Sequence, residues 1–162
     1  MLTNNGFSIK NITLANLYEV FSRIGTNNTQ IETTTIGDIF EVDLVETTYP
    51  LMHVTTENAS FDTNNLTYNF QIIVMDLVKK DESNEEQVLS DTLQVIGDVI
   101  STIRNAENGL PNLTDFRNNI RIQDSISCEP FTERFDNEVT GWTANLSIEV
   151  AFELSACTGD IV

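Results

Sequence analysis

The chain has 162 residues, 40% of them hydrophobic, and its 25 acidic against 8 basic side chains give a net charge of -17. That length and hydrophobic content suit one soluble domain with a core of its own and exclude wholesale disorder. The charge excludes duplex DNA binding through a broad basic surface, because such a chain repels polyanions at long range. Two readings of the charge stay open: general solubility, or a surface that must not adhere to passing nucleic acid.

Residues 1–12 are polar and read as an N-terminal arm or short strand, ahead of a single α+β domain spanning 1–162. The opening MLTNNGFSIKN lacks the basic and apolar regions of a secretory leader. No apolar run reaches the roughly 18 residues needed to cross a bilayer.

A first helix follows. Thr13 is its expected N-cap, Leu14, Leu17, Phe21 and Ile24 share one face, and Gly25 is expected to end it. Residues 26–35 read as a polar loop or irregular edge strand. GDIFEVDLVE, 37–46, alternates and predicts a strand with Phe40, Val42 and Leu44 on one face. Tyr49-Pro50 breaks it, and LMHVTT is a further short strand.

ENASFDTNN, 57–65, reads as a turn. From Leu66 the alternation is regular, with Leu66, Tyr68, Phe70, Ile72 and Val74 on one face. Ile73, Met75 and Leu77 make the later half apolar on both faces, as for a strand passing under a helix. KKDESNEE is a solvated connection in which Ser83 or Asn84 caps the next helix, with Glu85 and Glu86 in its first turn.

That helix carries an apolar stripe of Val88, Leu89, Val95, Ile96, Val99, Ile100 and Ile103, with Arg104 at its end. A loop with Gly109 and Pro111 leads to a strand over 119–127. CEPFTERFDNEVTG, 128–141, reads as irregular and acidic. Trp142, Ala144, Leu146, Ile148, Val150 and Phe152 form the inner face of a last long strand, with Asn145, Ser147 and Glu149 outward. The expected fold class is α+β: a mostly antiparallel sheet with two main helices packed on one face.

The search for chemistry excludes more than it finds. His53 is the single histidine and reads as a partly buried or exposed strand residue. No zinc spacing, nucleophile elbow, phosphate loop or dinucleotide fingerprint is present. Asp62-Thr63-Asn64 starts like a calcium loop but lacks its glycine and final glutamate. Cys128 and Cys157 read as two reduced thiols, with a disulfide left open. No catalytic residue, metal ligand or cofactor is expected.

Tyr49-Pro50, the strand Tyr68–Asp76, the helix Glu85–Ile103, and Pro130-Phe131 followed by Gly141-Trp142 occur in an order that resembles the tail terminator, tail completion and head-to-tail joining proteins of tailed phages. The resemblance is one of pattern and order and covers about two thirds of the chain. It implies a structural virion protein without enzymatic activity, forming a hexameric or dodecameric ring at the phage neck or tail. The implied partners are portal, adaptor, ring or tail proteins, with DNA passing through the lumen unbound and no membrane involved. On this reading Asp81, Glu82, Glu85, Glu86, Glu129, Glu133, Asp136 and Glu138 are the candidate lumen or inter-ring surface. The alternative is a small acidic α+β metal-binding module or enzyme.

Overall fold

The computed structural model describes residues 12–105, 120–134 and 138–152. The elements run α1 (Leu14–Asn27), β1 (Thr33–Ile36), a single 3-10 turn (Ile39–Glu41), β2 (Leu51–Phe61), β3 (Asn65–Leu77), α2 (Glu85–Arg104), β4 (Ile120–Ile122), β5 (Cys128–Arg134) and β6 (Glu138–Ala151). The architecture is the expected α+β one. Strand order in the sheet is β1-β2-β3-β6-β4, and β5 also pairs with β6. β1 is parallel to β2 and every other pairing is antiparallel. β4 and β5 lie end to end along β6, opposite Ile148–Val150 and Glu138–Ala144 respectively.

The period-2 pattern of β3 and β6 sets one face of this sheet. Leu66, Tyr68, Phe70, Ile72 and Val74 of β3 join Ala144, Leu146, Ile148 and Val150 of β6 in a single buried cluster. Both helices close it: Leu17, Val20, Phe21 and Ile24 from α1, and Val95, Ile96, Val99 and Ile103 from α2. Phe70 sits at its centre, fully buried, with Phe21 edge-on at a ring separation of 5.1 Å. Trp142 is half-buried at the margin, and its indole Nε1 donates to Leu89 O at 2.7 Å. Thr92, which the apolar stripe left out, is also buried; its hydroxyl donates to Val88 O at 2.7 Å, so no polar group is orphaned.

The helix ends show what composition alone left undecided. Thr13 and Asn16 form a reciprocal capping box, as the Thr13 cap predicted. α1 does not stop at Gly25 but runs on to Asn27. Gly25 is required for contact instead, because β1 crosses so close that a Cβ there would overlap the Thr34 hydroxyl. Asn84 is the N-cap residue of α2 but makes no capping bond. Its side chain accepts from Lys79 N at 2.8 Å and donates to Leu77 O at 3.4 Å, holding the preceding turn.

Three strand boundaries move. Residues 57–61 belong to β2 rather than to a turn, and the hairpin closes only at Asp62–Asn64, where Asp62 N donates to Asn65 O at 2.8 Å. The strand expected over 119–127 shortens to Ile120–Ile122, and 119 lies outside the described residues. The stretch read as irregular, 128–141, contains all of β5, because β6 offers a free edge and Pro130 sits on an outer strand where its missing donor is tolerated. The expected loop with Gly109 and Pro111, the polar arm up to residue 11, and Cys157 lie outside the described residues.

Candidate functional site

The second face of the sheet divides into a polar half and an apolar half. On the polar half, Asn69 of β3 links Asn58 of β2 and Ser147 of β6 by side-chain hydrogen bonds across three strands. On the apolar half, Leu51, Ile73, Met75 and Val139 form a separate buried cluster, with Ile39, Val42, Leu44, Tyr49 and Phe131 packed against it. The cover here is the connection 37–50, not a helix, which corrects the expectation drawn from Ile73, Met75 and Leu77.

That connection is a strap, and the strand predicted over 37–46 does not form. Gly37, at φ 128°, turns the chain out of β1 in a conformation that disfavours any side chain. Asp38 Oδ1 then accepts from Phe40 N at 2.9 Å and caps the 3-10 turn. Asp43 Oδ1 accepts from Val45 N at 3.0 Å and Glu46 N at 3.1 Å, folding a second turn. Two aspartates thus take amides that a strand would have offered to a neighbour. Tyr49 Oη donates to Leu44 O at 2.7 Å and ties down the end of the strap, which enters β2 through a cis Tyr49-Pro50 bond.

The geometry separates side chains that alternation had grouped. Val42 and Leu44 pack inward while Phe40 is 93% exposed and Val45 57% exposed. Between strap and sheet runs a groove of about 560 Å³, with Ile73, Met75, Phe131 and Val139 as its floor. Thr143 and Asp43 stand at its margins. Glu129 is exposed beside Thr143, its cross-strand neighbour on the same face. The strap itself exposes Asp38, Glu41, Asp43 and Glu46 and has no Lys or Arg between residues 37 and 50. Sequence reasoning missed this groove; the recurrent Asp two residues before an apolar side chain was the signal for turns in place of a strand.

His53 anchors the root of the strap and is completely buried, where a partly buried or exposed residue was expected. The Gly37 carbonyl can only accept, so Nε2 carries the proton and donates to it at 2.9 Å. Nδ1 is then the acceptor for the Thr35 hydroxyl at 2.7 Å. Thr55 Oγ1 also donates to Gly37 O, at 3.0 Å. Burial lowers the His53 pKa below its ordinary value, opposed by the Gly37 hydrogen bond and the Asp38 charge. Both ring nitrogens are engaged within the fold, so the ring pins the root of the strap, at the back of a pocket lined also by Thr35, Asp38, Val42 and Thr47.

Of the predicted acidic residues, Asp81, Glu82, Glu85 and Glu138 fall at one end of the sheet. The turn carrying Asp81 and Glu82 joins β3 to α2, and Val78 N donates to Glu138 O at 2.9 Å. Glu85 Oε1 accepts from the Thr132 hydroxyl at 3.2 Å, so the first turn of α2 reaches the β5–β6 pair. Asp81, Glu82, Glu86 and Glu129 are exposed, and Glu85 and Glu138 half-exposed. Hydrogen bonds from Ser83 hold the Asp81 carboxyl below the usual range. Glu129 is brought toward the groove instead of the α2 end. Glu133 lies in β5 opposite Val139, and Asp136 lies outside the described residues.

Among the described residues no group of three or more His, Cys, Asp or Glu is placed to hold a metal ion, and no helix is long and apolar enough to cross a membrane. Cys128 is half-buried beside the helix-covered cluster, and burial raises its thiol pKa. No known family model matches the chain, and comparison with the curated proteins gives no match.

Proposed function

We propose that the protein is a structural virion component that assembles into a ring at the head-to-tail junction or tail of a phage, lining the channel through which DNA passes. The observation that carries this reading is the meeting of two acidic segments, 79–86 and the start of β6 at Glu138, at one end of the sheet. In a chain of charge -17, an acidic end turned toward a lumen repels the phosphate backbone and lets DNA slide without sticking. The order of elements supports the same reading: a first helix, a strap ending at Tyr49-Pro50, a long hairpin, an acidic turn, an amphipathic helix and a strand bearing Gly141-Trp142. Rings of this kind close through heterologous contacts, one surface of a subunit against a different surface of the next.

Mass photometry of the purified chain, with and without calcium, tests the reading. A hexameric or dodecameric assembly of the 18.2 kDa subunit, indifferent to calcium, is the expected result. A monomer sharply stabilised by calcium overturns it in favour of a metal-binding module. In an infectious particle, replacing Asp81, Glu82, Glu85 and Glu86 together by Lys is expected to impair DNA passage while leaving the fold intact. Unchanged infectivity removes the electrostatic role of this end.

A further inference from the structure

We propose that the apolar groove under the strap is the receptor for the N-terminal segment of a second copy of this chain, with Phe7 and Ile9 on the groove floor and Lys10 against its acidic rim. This rests on the ring reading only in supplying a heterologous contact for it; the docking itself is argued from the groove.

The groove selects its occupant by charge. Its floor is apolar and its rim carries Asp43, with Glu129 nearby and Asp38, Glu41 and Glu46 along the strap. A segment bearing carboxylates is repelled there, and the acid-free stretches of eight or more residues other than 1–18, namely 20–31, 47–56, 63–75, 99–106, 116–123 and 139–148, all run into helices or strands of the fold. Residues 1–18 contain Lys10 and no acid. Within them Phe7 and Ile9 alternate with Ser8 and Lys10, so an extended backbone presents two apolar side chains on one side and a cation on the other. The acid-free stretch 116–123 carries Arg117 and Arg121, but Ile120 and Ile122 pack it against the helix-covered cluster. Phe40, almost wholly exposed at the lip, supplies an apolar contact that nothing in its own described chain uses.

Reach decides between the same copy and a neighbour. Ile12 is buried on the helix-covered face, where its carbonyl accepts from Tyr68 Oη at 3.1 Å. Phe7 precedes it by five residues, which extend to at most about 18 Å. Ile73 and Met75 lie five and seven residues along β3 from Tyr68, about 17 to 23 Å, and on the opposite face. β3 is the middle strand of the path β1-β2-β3-β6-β4, so a chain rounding either edge must first cross two strands, about 10 Å more. Phe7 therefore cannot enter its own groove, and the segment docks between copies.

The test uses full chains and a synthetic peptide of residues 1–11. The receptor is the chain carrying Phe7→Ser and Ile9→Ser, whose own segment no longer competes. Fluorescence anisotropy of the labelled peptide is expected to show saturable binding, weakened at least tenfold by Phe40→Ser with Glu41→Lys, two exposed positions that leave the core untouched. Absence of binding, or binding indifferent to those substitutions, overturns the proposal. Sedimentation velocity separates it from the ring reading. Assemblies that persist in the Phe7→Ser, Ile9→Ser chain overturn the docking and leave the ring standing. Peptide binding by a chain that never closes into a ring keeps the docking and removes the ring.

Discussion

The two faces of the sheet are closed by different means. On one, two amphipathic helices lay regular stripes across β3 and β6, and their apolar side chains join those of the strands in one buried cluster. On the other, a helix-free strap covers only the half around Leu51, Ile73, Met75 and Val139 and leaves a groove beneath itself. A helix repeats its contact every turn, so its cover is continuous; a strap held at turns by Asp38, Asp43, Tyr49 and His53 touches the sheet at points. The first arrangement stabilises the fold, and the second leaves an apolar groove open at little cost in core.

Substitutions should separate the faces in that order. Phe70→Ala, at the centre of the helix-covered cluster, is expected to cost about 4 kcal/mol in urea unfolding. A loss below about 1 kcal/mol would mean that the helices do not close that face as described. Trp142→Ala, at its half-buried margin, should cost about 3 kcal/mol, combining lost packing with the lost indole hydrogen bond to the Leu89 carbonyl.

The strap face should answer to pH. His53 has a lowered pKa in the folded state, so below its unfolded value of about 6.5 the unfolded chain binds more protons. Its contribution to stability is complete above that pH and is lost as pH falls toward the folded pKa, by at most about 1.4 kcal/mol per pH unit. Urea titrations between about pH 5 and 6.5, above most carboxylates, should show the slope in the native chain and not in His53→Leu. Equal slopes in the two would remove His53 as the pin of the strap. Phe40→Ser should change stability by less than about 0.5 kcal/mol, since the ring is exposed, and its effect should appear only in association.

The helix-covered face was the legible one. Leu66 to Val74, Trp142 to Val150 and the stripe from Val88 to Ile103 repeat with the periods of strand and helix, and the structure keeps those groupings except at Val88 and Leu89, which lie outside the cluster. Residues 37–46 alternate as well, but Asp38 and Asp43 bond to amides two and three positions ahead, and local capping wins over pairing. β5 escaped notice because Pro130 and its neighbouring acids belong to an edge, where neither is penalised. The burial of His53 was hidden because its partners, Thr35 and the Gly37 carbonyl, lie sixteen to eighteen residues away. Of the candidate surface, the acids themselves were legible; that Glu85 meets β5 while Glu129 turns toward the groove depended on the pairing of β5 with β6.

The long hairpin leaves a stretch of strand edge open to other chains. β1 pairs with β2 only as far as Val54, and among the described residues no strand covers the outer edge of β2 from Thr55 to Phe61. A flat edge of that length invites a neighbour to add its own strand. Here the register with β3 slips between Thr56 and Asn58, leaving Glu57 as an unpaired, charged bulge. The bulge twists the edge and sets a carboxylate in the path of an incoming backbone. Its consequence is colloidal: the edge from Thr55 to Phe61 can stay exposed while the bulge disfavours cross-β stacking on it.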